Sequence, residues 1–151
     1  MKRVYLADEQ ASLEVAGELA DLVSAPLVVY LIGDLGTGKT FFTRGVLQAL
    51  GYQGAVKSPT YTLVETYEFS QFHIQHFDLY RIADAEELSY IGLDTYFGNN
   101  SIVLIEWPMR GMGVLPPADL SLNFSYHKTG RELIVTAQSP RGQQILDNLA
   151  L

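Results

Sequence analysis

Apolar residues recur along the chain in two rhythms, one helical and one extended. Between Ser12 and Val23 they fall at Val15, Ala16, Leu19, Ala20, Leu22 and Val23, a stripe of helical period. Asp8 and Ser12 are both suitable N-caps for it, and Ser24-Ala25-Pro26 ends it. Before it, residues 2–6 suit a short edge strand. After it, Leu27-Val28-Val29-Tyr30-Leu31-Ile32 is continuous and β-branched, the pattern of a strand buried on both faces. Gly33 to Gly38 is a glycine loop. Lys39 to Leu50 reads as a helix with Phe42, Val46, Leu47 and Leu50 on one side and Gly51 as its stop.

The second half alternates more. Tyr61–Phe69 and Phe72–Tyr80 predict an antiparallel pair joined at Ser70-Gln71. Residues 83–90 predict a short helix capped by Asp84, and Ser101–Glu106 a second buried strand. Met109–Pro117 is irregular. Leu120–Tyr126 and Glu132–Thr136 predict a hairpin across residues 127–130, and 140–151 a terminal helix. No repeat, low-complexity tract or linker interrupts the chain, so 1–151 reads as a single α/β domain with strand, glycine loop and helix in succession.

Composition narrows the functional classes. The 151 residues include 10 Lys and Arg against 17 Asp and Glu, a net charge of −7. A free-standing nucleic-acid binder normally carries a basic excess, because phosphate neutralisation supplies much of its affinity. Any nucleic acid in this protein's biology is therefore expected to be held by a partner. With no cysteine, a disulfide scaffold, a thiolate metal site and a cysteine nucleophile are excluded. The apolar run Leu27–Ile32 is far short of the ~20 residues that span a bilayer. The N-terminus turns acidic at Asp8-Glu9, before a signal-peptide core could form. These features predict a soluble, cytoplasmic protein.

Gly33-Asp34-Leu35-Gly36-Thr37-Gly38-Lys39-Thr40 matches G-x-x-x-x-G-K-[ST], the Walker A pattern. Phosphate oxygens must meet several backbone N–H groups at once, and glycine lets the loop wrap that closely. The helix beginning at Lys39 directs its N-terminus at the anion. Lys39 supplies a charge to the phosphates, and the Thr40 hydroxyl can ligate Mg²⁺. N-K-x-D, by which GTPases read guanine, is absent, which favours ATP.

Such a site also needs carboxylates. Glu106 is the first polar residue after Ile102-Val103-Leu104-Ile105 and should emerge at the strand's C-terminal end, where open α/β sheets bind ligands. Asp78 is a second candidate. Strand alternation would put His76, Asp78 and Tyr80 on one face. Asp78 could hold a metal-bound water, orient the attacking water, or simply pair with Arg81 or His76. Ser58 and Thr60 lie where GTPases carry a γ-phosphate switch, though the stretch also suits a plain loop. Trp107 could pack on such a switch, on a partner, or in the core. Arg44, Arg81, Arg110 and Arg131 are candidates for an arginine contact to phosphate. The histidines show no zinc spacing.

Taken together, residues 33–40, Lys57-Ser58-Pro59-Thr60-Tyr61-Thr62-Leu63-Val64, His76-Phe77-Asp78-Leu79-Tyr80-Arg81 and Ile105-Glu106-Trp107 resemble, in order, the motifs of the TsaE (YjeE) family. These are small bacterial ATPases of threonylcarbamoyladenosine biosynthesis. The resemblance runs from about residue 10 to residue 138. It implies a three-layer P-loop NTPase-like core with a mixed sheet and added antiparallel strands. It also implies weak hydrolysis of Mg-ATP alone, and action with the TsaB and TsaD proteins on the adenosine next to the anticodon of ANN-decoding tRNAs. Thr40 and Glu106 become the Mg²⁺ ligands, Asp78 the catalytic or water-positioning carboxylate, Ser58 to Thr60 the switch, and Trp107 the tryptophan beside the active site. The stretch around Asp8 and the strand start at Arg131 are the expected adenine contacts. The tRNA would be met only through the partners. A small-metabolite kinase, with the γ-phosphoryl going to a hydroxyl, is the alternative. A non-catalytic nucleotide switch is a third reading. Residues 107–131 carry only Arg110 and Arg131, too few arginines for a typical kinase lid.

Overall fold

The six apolar residues Leu27–Ile32 form strand β2 at the heart of the sheet, bonded in parallel to a strand on each side. A computed structural model describes all residues 1–151. In chain order the elements are β1 (Lys2–Leu6), α1 (Glu9–Leu22), β2, α2 (Lys39–Ala49), β3 (Val64–Glu68), β4 (His73–Asp78), β5 (Ser101–Glu106), β6 (Leu120–His127), β7 (Gly130–Ala137) and α3 (Pro140–Asn148). They build one seven-stranded mixed sheet in the order β1-β7-β6-β2-β5-β4-β3. Strands β6, β2, β5 and β4 run parallel, β7 and β3 flank them antiparallel, and β1 pairs antiparallel with β7 at the edge.

Three layers result. On one face α1, α2 and α3 cover Leu27, Val29, Leu31, Ile102, Leu104 and Leu122 in the larger core. Phe42 and Leu47 of α2 are fully out of water there, a burial that stabilises by about 1.5–3 kcal/mol per side chain. Ala16 and Leu13 of α1 lie so close to Gly45 of α2 that an added Cβ would sit 3.0 Å from each. On the other face a smaller core of Phe77, Leu79, Leu88, Val103 and Ile105 is closed by 3-10 turns. No helix is long and apolar enough to cross a membrane.

Several expectations shift at element ends. Of the two N-caps, Asp8 is the one used, its Oδ1 accepting from Ala11 N, so α1 starts at Glu9 rather than Ser12. Strand β2 is fully buried on one face only. Val28, Tyr30 and Ile32 are half-buried because the second face is covered by turns and the 107–117 segment, where Tyr30 donates to the Pro116 carbonyl. Strand β3 begins at Val64, not Tyr61. The Leu63 N–H bonds to the Pro59 carbonyl, and Leu63 adopts φ 73°, which turns the chain just before the strand. Tyr80 does not share the face of His76 and Asp78. The strand stops at Asp78, whose own Oδ1 accepts from Tyr80 N and bends the chain away. The helix expected over 83–90 is a 3-10 helix at Ala85–Ile91, capped by Asp84 as the sequence indicates. Within the irregular 109–117 stretch, Pro108–Gly111 forms a 3-10 turn. Helix α3 ends at Asn148, short of the terminus.

Candidate functional site

The parallel strands bring three chemistry-bearing positions to one sheet end. The register pairs Leu31 of β2 with Glu106 of β5, and Glu106 with Asp78 of β4. Both carboxylates therefore finish beside the point where β2 runs into the glycine loop. Alternation directs His76, Asp78 and Glu106 to the face that α2 covers, the face of Ile74 and Leu104.

The loop between β2 and α2 needs its glycines. A Cβ at Gly33 would stand 2.5 Å from the Phe124 carbonyl oxygen, so only glycine lets β6 approach. Gly38, the N-cap of α2, sits at φ 100°, a conformation L side chains rarely adopt. The first N–H groups of α2 have no side-chain cap, and such orphan donors at a helix N-terminus favour an anion.

Lys39 is nearly buried, 5% exposed. Its ammonium donates to the Gly33 and Asp34 carbonyls and lies 4.7 Å from the centre of the Trp107 ring. Burial pushes its pKa down, while the Glu106, Asp78 and Asp34 carboxylates hold it up. Trp107 reaches this position because its backbone is left-handed, φ 58°. A non-glycine residue there stores roughly 1–3 kcal/mol of strain. Tyr80 packs against the same indole, 4.9 Å between ring centres.

Thr40 Oγ1 donates to Glu106 Oε2 at 2.9 Å, and His76 Nε2 donates to the same oxygen at 2.6 Å. Asp78 stands apart from that pair. Its Oδ1 accepts from Tyr80 N at 3.0 Å, and its Oδ2 is 3.4 Å from Thr60 Oγ1, which in turn meets Ser58 Oγ at 2.7 Å. Desolvation raises the Asp78 pKa most. The Tyr80 N–H bond opposes that rise, the neighbouring Glu106 charge adds to it, and His76 and Thr60 pull it back.

The donor set fits a magnesium ion that accompanies a nucleotide. Thr40 and Glu106 are adjacent hard oxygen ligands, and no three His, Cys, Asp or Glu side chains form a closed cage. Mg²⁺ is commonly bound in that way, through one or two protein oxygens plus phosphates. Ser58, Thr60, Asp78, Glu106 and Trp107 line one cleft of about 280 Å³ with Leu35, Lys39 and Thr40. Asp8, Thr37 and Arg131 line a neighbouring cleft of about 400 Å³, and the two share Gly36, Gly38 and Phe41.

Asp78 pairs with neither Arg81 nor His76, the two structural partners that the sequence allows. Arg81 stacks on Tyr61 at 4.4 Å, and His76 is taken by Glu106. Arg110 lies over the Tyr80 and Trp107 rings. Arg131 reaches the glycine loop itself, donating to the Gly36 carbonyl at 3.2 Å while it lies over Tyr126.

Sequence reasoning missed Tyr126 and the role of His76. Tyr126 Oη donates to the Leu35 carbonyl at 2.7 Å, so Tyr126 and Arg131, paired across the β6–β7 hairpin, tie two carbonyls of the loop outward. The hairpin register, had it been counted back from the turn, would have revealed the pair. We expect Tyr126→Phe to weaken binding of a fluorescent ATP analogue by about 2- to 10-fold, the worth of one net hydrogen bond. Melting should change little, because the hydroxyl is exposed. Unchanged affinity would mean that the loop holds its shape without the clamp.

Comparison with known proteins converges on the family suggested by the motifs. Residues 6–133 match the family described as threonylcarbamoyl adenosine biosynthesis protein TsaE. The chain is 46% identical over 147 residues to the tRNA threonylcarbamoyladenosine biosynthesis protein TsaE of Haemophilus influenzae, covering 94% of this chain and 93% of that protein. It is 35% identical over 126 residues to the Bacillus subtilis protein of the same name, covering 82% and 77% respectively. The crystal structure of Bacillus subtilis YdiB superposes with a TM-score of 0.84 at 27% identity, covering 99% of this chain and 93% of that one. Four motifs in order, a mixed α/β sheet and near full-length similarity agree: the chain belongs to the TsaE family of threonylcarbamoyl adenosine biosynthesis proteins.

Proposed function

We propose that this chain is a Mg-ATP-dependent ATPase that acts with TsaB and TsaD in threonylcarbamoyladenosine modification of tRNA. Its hydrolysis supports repeated turnover of that complex. The observation that carries the reading is the meeting of Lys39, Thr40, Asp78 and Glu106 at one mouth of the sheet.

The amides of the glycine loop and of the α2 N-terminus receive the phosphates. Lys39 leaves the carbonyls of Gly33 and Asp34 and turns to the β- and γ-phosphates. Thr40 and Glu106 are the side chains that hold Mg²⁺, which when bound neutralises charge on the phosphate oxygens. Asp78 orients the attacking water and draws its proton, and the Thr60 hydroxyl couples the Ser58–Thr60 loop to that carboxylate. Phe41 and the Asp8–Arg131 cleft lie beside the loop, where the nucleoside is received.

Three of the four candidate arginines have other partners, Arg81 and Arg110 being stacked on aromatic rings and Arg131 bound to the loop, while Arg44 lies in α2 near Tyr67. An arginine supplied in trans is worth roughly 10³–10⁵ in rate elsewhere, so slow turnover alone and stimulation by a partner follow. The acidic chain needs no contact with tRNA except through its partners, and the role belongs to the cytoplasm. No metabolite acceptor is involved.

The test is phosphate release from Mg-ATP, first by the chain alone and then with TsaB and TsaD. Slow release that the pair accelerates is expected. Fast release indifferent to the pair contradicts the proposal. So does transfer of the γ-phosphoryl group to a hydroxyl compound, which would make the chain a kinase.

A further inference from the structure

We propose that His76 is a positioning residue for the divalent-cation site: from full burial under α2 it holds the Glu106 carboxylate in the orientation that Glu106 and Thr40 need to share one cation. This rests on the Mg-nucleotide reading of the site and adds a residue to it.

His76 has no exposed surface and Glu106 is 3% exposed. A carboxylate so buried is costly unless donors reach it. Glu106 Oε2 has two, Thr40 Oγ1 at 2.9 Å and His76 Nε2 at 2.6 Å. The two donors are not equivalent. Thr40 has a second task, because its oxygen lone pairs face the cation it ligates and only its proton is left for Glu106. His76 has no competing task. Its ring is enclosed on every side, and its Nδ1 is buried with no partner at all. The only polar engagement of the imidazole is therefore the bond to Glu106. A carboxylate oxygen can only accept, so Nε2 is the donor in that bond.

Geometry on the strands explains why histidine stands here. His76 pairs in register with Leu104, two residues before Glu106 on the adjacent parallel strand, and lies two residues before Asp78 on its own strand. Its side chain therefore reaches Glu106 diagonally, from inside the core. Leu104, the residue alongside, is apolar, and Glu65 is the register partner on the far side. A long, flat donor fits that path. Carboxylates that ligate metals are in turn hydrogen-bonded, and removing such an outer partner typically lowers metal affinity or activity about 10- to 100-fold.

The experiment separates the donor from the ring. His76→Leu removes the donor and keeps apolar bulk. His76→Gln places an amide nitrogen near the position of Nε2. ATP-analogue affinity is measured in EDTA and in Mn²⁺, and Mn²⁺ binding to the protein–nucleotide complex is followed by electron paramagnetic resonance. We expect His76→Leu to keep the metal-free affinity within about two-fold and to lose about 10- to 100-fold in Mn²⁺ affinity. His76→Gln should recover most of that loss. Should the leucine variant fail to fold, His76→Asn, whose shorter amide stops short of Glu106, takes its place. Wild-type Mn²⁺ affinity in the donor-less variant overturns the proposal, as does an equal loss in the glutamine variant, which would assign the effect to ring packing. Wild-type protein whose nucleotide affinity ignores Mn²⁺ would instead sink the underlying metal–nucleotide reading.

Discussion

Asp78→Asn is expected to slow phosphate release by about 10²–10⁴-fold while ATP affinity stays within about two-fold of wild type. The same substitution should stabilise the chain at neutral pH. Both effects arise from one environment. Burial, more than any other influence, pushes the Asp78 carboxyl above the ordinary aspartate range, and the Glu106 charge pushes in the same direction. A raised pKa suits a group that must accept a proton near neutrality. It also means that the folded state binds more protons than the unfolded state once pH passes the unfolded value, near ~3.9. Stability therefore falls as pH climbs from there to the folded pKa, and the loss persists above it. Asparagine is neutral throughout. Its oxygen still accepts from Tyr80 N, and its amide can meet the Thr60 hydroxyl, so the two bonds made by Asp78 have counterparts. A gain of about 1 kcal/mol, or roughly 2–4 °C in Tm, is the scale for a chain of this size. Phosphate-release kinetics, calorimetric ATP titration and thermal melting at pH 7 and pH 4 check the three parts. A variant that hydrolyses ATP normally would return Asp78 to a structural role.

Lys39→Ala is expected to lower ATP affinity itself, by about 10–100-fold for each charge-assisted bond lost, taking 1.5–3 kcal/mol per bond. The ammonium now rests on two neutral carbonyls, Gly33 and Asp34. A phosphate replaces those partners with charged ones, at a site with little water. The alanine variant also removes the cation that the Glu106 carboxylate most supports, and it should show no phosphate release. Lys39→Arg should not restore binding. Arginine is a broad planar fork, and this position accommodates a compact ammonium beside the Trp107 ring. Titration calorimetry with ATP settles the comparison, and an alanine variant that binds within about three-fold of wild type would contradict the role given to Lys39.

The two substitutions separate binding from chemistry, and the sequence foretells that division better than it foretells the site's surroundings. The strand–glycine loop–helix unit is legible because three local signals coincide: a β-branched run, glycines at the loop, and an apolar helical stripe. Glu106 is legible for the same reason, being the first polar residue after four apolar ones. Asp78 is harder to read. The alternation that suggests it also suggests Tyr80, and only the bond from Tyr80 N to the Asp78 carboxylate shows that the strand has already ended.

What escapes local reading is pairing between distant strands. His76 meets Glu106, thirty positions further along the chain, because β4 and β5 are parallel neighbours in one register. Nothing in the residues near either side chain specifies that register. Tyr126 and Arg131 reach the glycine loop for a similar reason, since β6 lies next to β2 and β7 next to β6. The edge of β3 is lost to a different cause: Leu63 takes a left-handed backbone that a β-branched and aromatic stretch does not advertise. The second face of β2 looks buried from composition alone, yet a helix does not cover it. Turns do, and they leave Val28, Tyr30 and Ile32 half-buried.

The most direct test of the central claim is a modification assay under limiting TsaB and TsaD, with excess tRNA and threonylcarbamoyl donor. Threonylcarbamoyladenosine is counted per TsaD with Mg-ATP and either the wild-type chain or its Asp78→Asn variant. Many turnovers are expected with wild type and no more than a stoichiometric amount with the variant, which still binds ATP. Equal turnover with both proteins would contradict it, because hydrolysis at Asp78 would then have no part in the cycle.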